Sequence, residues 1–224
     1  MSDQNNEQNE RNEQKVREEI TSCYRYAASL GLNELASGNL SCRFEDGMLI
    51  SPSGASEANI TPERIVRVSL DGDWEGDIKP STEWRMHAEI YRQHERAQAV
   101  VHTHSDHCVA LSCHNQPLPG FHYLVGSFGG DDVPCVPYST FGTETLASDA
   151  ASALKDRNAC LLGSHGMICR SGNLKAAVEL AQRLEIMCRQ YLLARQYGEP
   201  DRLTRAQWDE FFDRARKVSY GRYI

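Results

Sequence analysis

No stretch of this chain approaches the roughly 20 consecutive apolar residues needed to cross a bilayer. Neither G-x-G-x-x-G nor G-x-x-x-x-G-K-[ST] joins a strand to a helix, so the two common nucleotide cradles are absent. A basic excess is missing too. With 24 Lys and Arg against 31 Asp and Glu, the formal charge of −7 argues against broad binding to nucleic acid or to an anionic membrane surface. It does not exclude an anionic substrate, because a local pocket of amides and hydroxyls can hold a phosphate. The eight cysteines include no C-x-x-C pair and mostly sit in apolar runs, as Cys160 and Cys188 do. They read as small buried hydrophobes in a reducing compartment. The opening residues, MSDQNNEQNERNEQ, lack the basic and apolar regions of a signal peptide. A cytoplasmic protein is expected.

Length and composition point to one α/β domain. The 224 residues can bury a full core, and 40% hydrophobic with 25% charged residues is ordinary for a globular chain. Residues 1–12 form a polar Asn/Gln/Glu tail expected to be flexible, leaving 13–224 as the domain. From there Val16, Ile20, Cys23, Tyr24 and Ala27 recur at helical spacing up to Gly31. Asp46-Gly47 signals a hairpin between two short strands, and "IVRVSL" reads as a third. A helix is expected over about 82–94, a strand in "AQAVVHTH", a helix in "SDHCVALSCH" and strands in "ACLLGSHG" and "ICR". The clearest helix covers 173–193, where Leu174, Ala177, Val178, Ala181, Leu184, Cys188 and Tyr191 keep the 3.6-residue period. Thr143 caps a helix to about Lys155, and Thr204 with Gln207 marks a capping box for the last one.

Unusual chemistry concentrates in Val100-Val101-His102-Thr103-His104. Residues two apart on a strand share a face, so both imidazoles project together from the end of an apolar strand. Two solvated histidines at a strand end would look the same, and H-x-H alone is short enough to occur by chance. A third histidine shifts the balance. His165, in Gly163-Ser164-His165-Gly166, follows another apolar run. Three imidazoles with one open position match catalytic rather than structural zinc. His87, His94, His107, His114 and His122 read as ordinary helix or loop residues.

Glu83, in Ser81-Thr82-Glu83-Trp84, would suit a first helical turn capped by Ser81 or Thr82. That helix start also offers free amides and hydroxyls to a phosphate. Gly38-Asn39 and Ser51-Pro52-Ser53-Gly54 are similar loops. Each alone is a turn, and three together suggest a phosphate cradle.

These segments resemble the class II aldolase/adducin-like superfamily. The shared stretches are "SGNLS" (37–41), "GMLISPSG" (47–54), "KPSTEWRMHAEIY" (79–91), "AVVHTHSDHC" (99–108) and "FHYLVGSFGG" (121–130). They continue with "VPCVPYSTFGT" (133–143), "LLGSHGMI" (161–168) and "SYGRY" (219–223), in order and with similar spacing over nearly everything after the leader. The resemblance implies a central, mainly antiparallel sheet flanked by helices and a homotetramer with interfacial active sites. It implies one zinc ion per chain on His102, His104 and His165, with Glu83 as a further ligand or the catalytic base. Gly38, Asn39, Ser53, Gly54, Ser81 and Thr82 would hold the substrate phosphate. Tyr123 would be an acid on the aldehyde side, assisted by Tyr220 on a tail reaching an adjacent subunit. Ala36 departs from the family pattern, which has a threonine near the phosphate.

The implied reaction cleaves a ketose 1-phosphate, L-fuculose 1-phosphate or a similar deoxy sugar phosphate, to dihydroxyacetone phosphate and an aldehyde. The base serves best with a pKa raised towards neutrality, which burial favours and a nearby cation opposes. L-Ribulose-5-phosphate 4-epimerases and decarboxylases of phosphorylated sugar acids are rival readings within the superfamily. An adducin-like scaffold is the rival outside enzymology.

Overall fold

In "GMLI" (47–50), "AVV" (99–101) and "ACLL" (159–162) both the odd and the even residues are buried and mostly apolar, which is what a sheet covered on two sides requires. A computed structural model describes residues 2–218. The elements run α1 (Ser2–Ser29), β1 (Asn39–Phe44), β2 (Gly47–Ile50), β3 (Val66–Ser69), α2 (Trp84–Gln93), β4 (Ala99–Thr103) and α3 (Asp106–Ser112). They continue as β5 (Leu118–Pro119), β6 (Asp132–Val133), β7 (Cys135–Val136), α4 (Glu144–Ala153), β8 (Ala159–Leu162), β9 (Gly166–Ser171), α5 (Leu174–Ala194) and α6 (Arg205–Lys217). Seven strands form one sheet in the order β3-β2-β1-β4-β9-β8-β7, antiparallel throughout except for the parallel β7–β8 pair. The expected α/β architecture is therefore present as a single domain.

Strand alternation sorts the core into two layers. Leu40, Leu49, Val101, Leu161 and Met167 pack with the apolar stripe of α5 and with Ile20, Tyr24 and Ala27 of α1. Met48, Ile50, Val68, Val100, Cys160, Leu162 and Ile168 pack on the opposite face with Ile90 of α2 and with Leu146 and Ala150 of α4. The caps hold where sequence places them. Thr143 accepts from the Leu146 amide, and Thr204 with Gln207 forms a reciprocal capping box.

Local differences from the sequence reading have plain causes. The first helix begins at Ser2, so it includes the polar leader set apart as a tail. Asn, Gln, Glu and Arg do not break a helix, and Gln14 donates to Glu18 one turn on at 2.9 Å. The first hairpin turns at Glu45-Asp46 rather than Asp46-Gly47: Phe44 pairs with Gly47, and Glu45 takes a left-handed φ of 49°. No described helix is long and apolar enough to cross a membrane.

Candidate metal centre and phosphate cavity

The strand register brings the chemistry together. His102 pairs across β1–β4 with Asn39 and across β4–β9 with Ile168, so it lies mid-sheet and is fully buried. His104 follows just beyond the end of β4, and His165 sits in the β8–β9 turn. That turn must approach β4 closely. A Cβ on Gly166 would lie 2.4 Å from the Thr103 carbonyl oxygen, so only glycine fits.

The three rings form an edge-on cluster with centroids 4.7–4.9 Å apart. His102 Nε2 lies 2.9 Å from His104 Nε2 and 2.9 Å from Glu83 Oε2, while His165 Nε2 lies 3.3 Å from Glu83 Oε1. The four potential ligand atoms all fall within 4.8 Å of one another. His102 Nδ1 donates to the Met167 carbonyl at 2.8 Å, which leaves the Nε2 lone pair free to face the others. Glu83 Oε1 is buried and meets no hydrogen-bond donor. Converging lone pairs and an orphaned carboxylate oxygen are unfavourable alone and well suited to a divalent cation. The donor set therefore fits zinc, with nitrogen and oxygen ligands and space on the cavity side.

The charge states of His104 and His165 agree with this. Burial, the neighbouring His102 and His165 push His104 down to about 3, and burial with His102 pushes His165 down to about 4. Both offer neutral nitrogens. Burial alone would raise the Glu83 carboxyl, but the charge and hydrogen bond of His102, then His165 and the Asn39 amide, hold it well below its ordinary range. The same carboxylate raises His102 against the effect of burial. Sequence reasoning asks for a Glu83 pKa near neutrality; the clustered imidazoles reverse that direction.

Glu83 also sits differently from a first-turn carboxylate. It is itself the N-cap of α2, with no side-chain cap bond, and Ser81 Oγ accepts from its amide at 3.3 Å. Its side chain turns to the histidines instead of to its own helix. Above it opens a cavity of about 320 Å³. One wall is built by Ala36–Asn39, Pro52–Gly54 and Ser81–Glu83, and the other by Tyr138, Ser139, Phe141, Ser164 and His165. All six residues expected to hold phosphate, Gly38, Asn39, Ser53, Gly54, Ser81 and Thr82, line this one space. The loops are tied to each other: the Ser81 amide donates to the Ser51 carbonyl, and the Ser53 amide to the Lys79 carbonyl. The Ser53 amide is thereby occupied, which leaves its hydroxyl for a ligand.

One candidate lies elsewhere, and another is not among the described residues. Tyr123 is 46% exposed, stacks on His122 at 4.7 Å and packs near Phe211, outside the cavity lining. Tyr220 falls outside the described residues. Other residues at the cavity had no signal of their own. Tyr138 and Phe141 are 61% and 63% exposed aromatics on its rim, where burial periodicity says nothing. His87, which reads as an ordinary helix residue, is fully buried and bonded to Asn39 and Ser41. Its place four residues after Glu83 on one helix face was the available clue.

Comparison with known proteins gives likenesses of three kinds, to a family, to individual proteins and to solved structures. The family described as Class II Aldolase and Adducin N-terminal domain matches residues 18–192. The 5-methylthioribulose-1-phosphate/5-deoxyribulose-1-phosphate aldolase of Rhodospirillum rubrum is 42% identical over 186 residues, 83% of this chain and 84% of that protein. The L-fuculose phosphate aldolase of Escherichia coli O6:H1 is 43% identical over 171 residues, 76% of this chain and 80% of that one. Among solved structures, an L-fuculose 1-phosphate aldolase matches with a TM-score of 0.85 at 32% identity, covering 92% of this chain and 97% of the other.

Proposed function

Because this chain belongs to the class II aldolase and adducin family and is a metal-dependent class II aldolase, we propose that it cleaves a ketose 1-phosphate with zinc as its metal. The substrate is L-fuculose 1-phosphate or a similar deoxy sugar phosphate such as 5-deoxyribulose 1-phosphate. The products are dihydroxyacetone phosphate and an aldehyde. The observation that carries this reading is a carboxylate and three imidazoles at the floor of a cavity whose wall is three glycine- and hydroxyl-bearing loops.

The residues divide the work by position. The loops at Gly38-Asn39, Ser53-Gly54 and Ser81-Thr82 hold the phosphate through neutral donors, so an anion binds within a chain of net negative charge. His102, His104 and His165 would hold the cation. Once bound, that cation offsets negative charge developing on the substrate oxygens as the C3–C4 bond breaks. Glu83, ionised and with Oε1 free of donors, exchanges the proton at C3 of the triose half. The exposed rings of Tyr138 and Phe141 border the same cavity and give an unoxygenated sugar terminus an apolar rim. Tyr123 lies outside this lining, so its role as the aldehyde-side acid requires a neighbouring copy. A homotetramer with interfacial sites, completed by Tyr220, supplies one. The protein is proposed to act in the cytoplasm.

The test is to incubate the purified protein with L-fuculose 1-phosphate, 5-deoxyribulose 1-phosphate and L-ribulose 5-phosphate and to assay dihydroxyacetone phosphate, with elemental analysis of the metal. Triose phosphate from either of the first two, with about one zinc per chain, supports the proposal. Epimerised pentose without cleavage, or a metal-free chain, refutes it.

A further inference from the structure

Behind Glu83 the interior is polar where apolar packing is the rule. Glu83, His87 and Tyr91 lie at i, i+4 and i+8 on one stripe of α2 and its N-cap, and Asn39 and Ser41 share the facing side of β1. His87 and Ser41 are fully buried, Tyr91 is 1% exposed and Asn39 5%. The five side chains form one line of hydrogen bonds. Tyr91 Oη meets Ser41 Oγ at 2.8 Å, Ser41 Oγ meets His87 Nδ1 at 2.7 Å, and His87 Nε2 meets Asn39 Oδ1 at 2.5 Å. Asn39 Nδ2 then reaches Glu83 Oε2 at 3.2 Å.

The donor inventory fixes every proton in this line. An ionised carboxylate only accepts, so the Asn39 NH₂ must face Glu83 and its carbonyl must face His87. His87 therefore carries its proton on Nε2 and accepts at Nδ1. Ser41, with one proton, donates it to His87 and accepts from Tyr91. Were the Asn39 amide reversed, its carbonyl would confront the Glu83 carboxylate, a repulsion that no tautomer of His87 relieves. The line thus has one direction, starting at Tyr91 and ending on the carboxylate.

We propose that His87, backed by Ser41 and Tyr91, is a positioning residue for Glu83. It holds the Asn39 amide in the orientation that donates to Oε2, and so fixes the carboxylate with Oε1 beside His165. This rests on the reading of Glu83 as the group that handles the C3 proton. His87 touches no substrate; its effect passes through Asn39.

The experiment isolates proton handling from the choice of aldehyde by following exchange of the C3 hydrogen of dihydroxyacetone phosphate with D₂O by NMR. It uses the zinc-loaded full chain. His87→Phe keeps the ring volume and removes both nitrogens. It is expected to slow exchange at saturating dihydroxyacetone phosphate roughly tenfold, a part of the ~10²–10⁴-fold that a positioned general base contributes. The half-saturating concentration should move less than the rate, because of the six phosphate-holding residues only Asn39 is hydrogen-bonded to His87. His87→Gln retains a donor and an acceptor and should recover exchange to within about threefold of wild type. Should His87→Phe not fold, Tyr91→Phe, which loses only the hydroxyl, should slow exchange two- to threefold with unchanged half-saturation. His87→Phe exchanging like wild type, or His87→Gln no better than His87→Phe, overturns the positioning role. Tyr91→Phe at the wild-type rate does the same. A Glu83→Gln control that still exchanges identifies the failure as that of the Glu83 assignment, whereas an inactive control beside normal His87 variants places it in the relay.

Discussion

Along β1 and β4 the two faces of the sheet carry different kinds of interior. On the α1/α5 side, β1 and β4 present Leu40, Cys42, Ala99 and Val101, all in a continuous apolar cluster. On the α2 side the alternate residues of these strands are Asn39, Ser41, Val100 and His102, and three of the four are polar and buried. A shift of one residue along the same strands separates a packing surface from a chemical one. The polar face is tolerable because its buried groups bond to one another and the one unsatisfied carboxylate oxygen faces a metal-ligand cluster. Stability and chemistry can therefore be altered nearly independently on the two sides.

The largest expected effect belongs to the polar face. Glu83→Gln should leave fold and metal content in place while lowering triose phosphate release about 10²–10⁴-fold, the usual contribution of a positioned acid or base. His104→Ala should instead lower zinc occupancy, measured against a competing chelator, by at least the ~10-fold that even an outer-sphere change costs. Unchanged occupancy would remove His104 from the ligand set, and a nearly wild-type Glu83→Gln would reassign the base.

On the apolar face the sign of the outcome reverses. Leu161 is fully buried in the α5-side cluster, so Leu161→Ala should destabilise the chain by about 2–5 kcal/mol in denaturant unfolding. Turnover per folded molecule should stay within about twofold of wild type at low temperature. A large loss of turnover with unchanged stability would erase the distinction between the faces.

A smaller effect is expected where the two regions meet. Glu185 of α5 accepts from the His107 and Cys108 amides at 3.1 and 3.0 Å and contacts His107 Nδ1 at 2.5 Å, tying down the start of α3 just after His104. Burial would raise its carboxyl, but the His107 side chain, the two amides and Ser105 hold it below the ordinary value. A depressed folded-state pKa contributes stability above the unfolded value, near 4.3, and loses it as pH falls through the folded value. Glu185→Gln should thus cost about 1 kcal/mol at neutral pH, as loss of a helix cap does. The gap to wild type should narrow as pH falls from the unfolded value through the depressed folded one. A gap independent of pH would show that the cap does not depend on the carboxylate's charge.

How much was legible in the sequence varied with the range of the signal. The helix over Leu174–Ala194 and the capping box at Thr204 were readable because period and cap chemistry are local. His102 and His104 were readable as a pair because strand geometry fixes residues two apart. His165 could be proposed from its glycines and neighbours, yet nothing local fixes its distance to β4. His87 escaped notice because a lone histidine on a helix looks the same whether it meets solvent or the buried Asn39. Sequence named both influences on the Glu83 carboxyl, burial raising it and nearby positive charge lowering it, and only the packed imidazoles show which is larger.

Sequence by itself determined the apolar runs of most strands, the helix periods, and the residue types able to bind a cation and a phosphate. Tertiary structure alone decided that Asn39 lies opposite His102, that Glu83 turns from its own helix towards three rings, and that Tyr123 stays outside the cavity. The physical reason is distance along the chain. Propensity and period act over a few residues, whereas the β1–β4–β9 register joins segments from residues 39 to 168, and it is set by burying both faces of the sheet together.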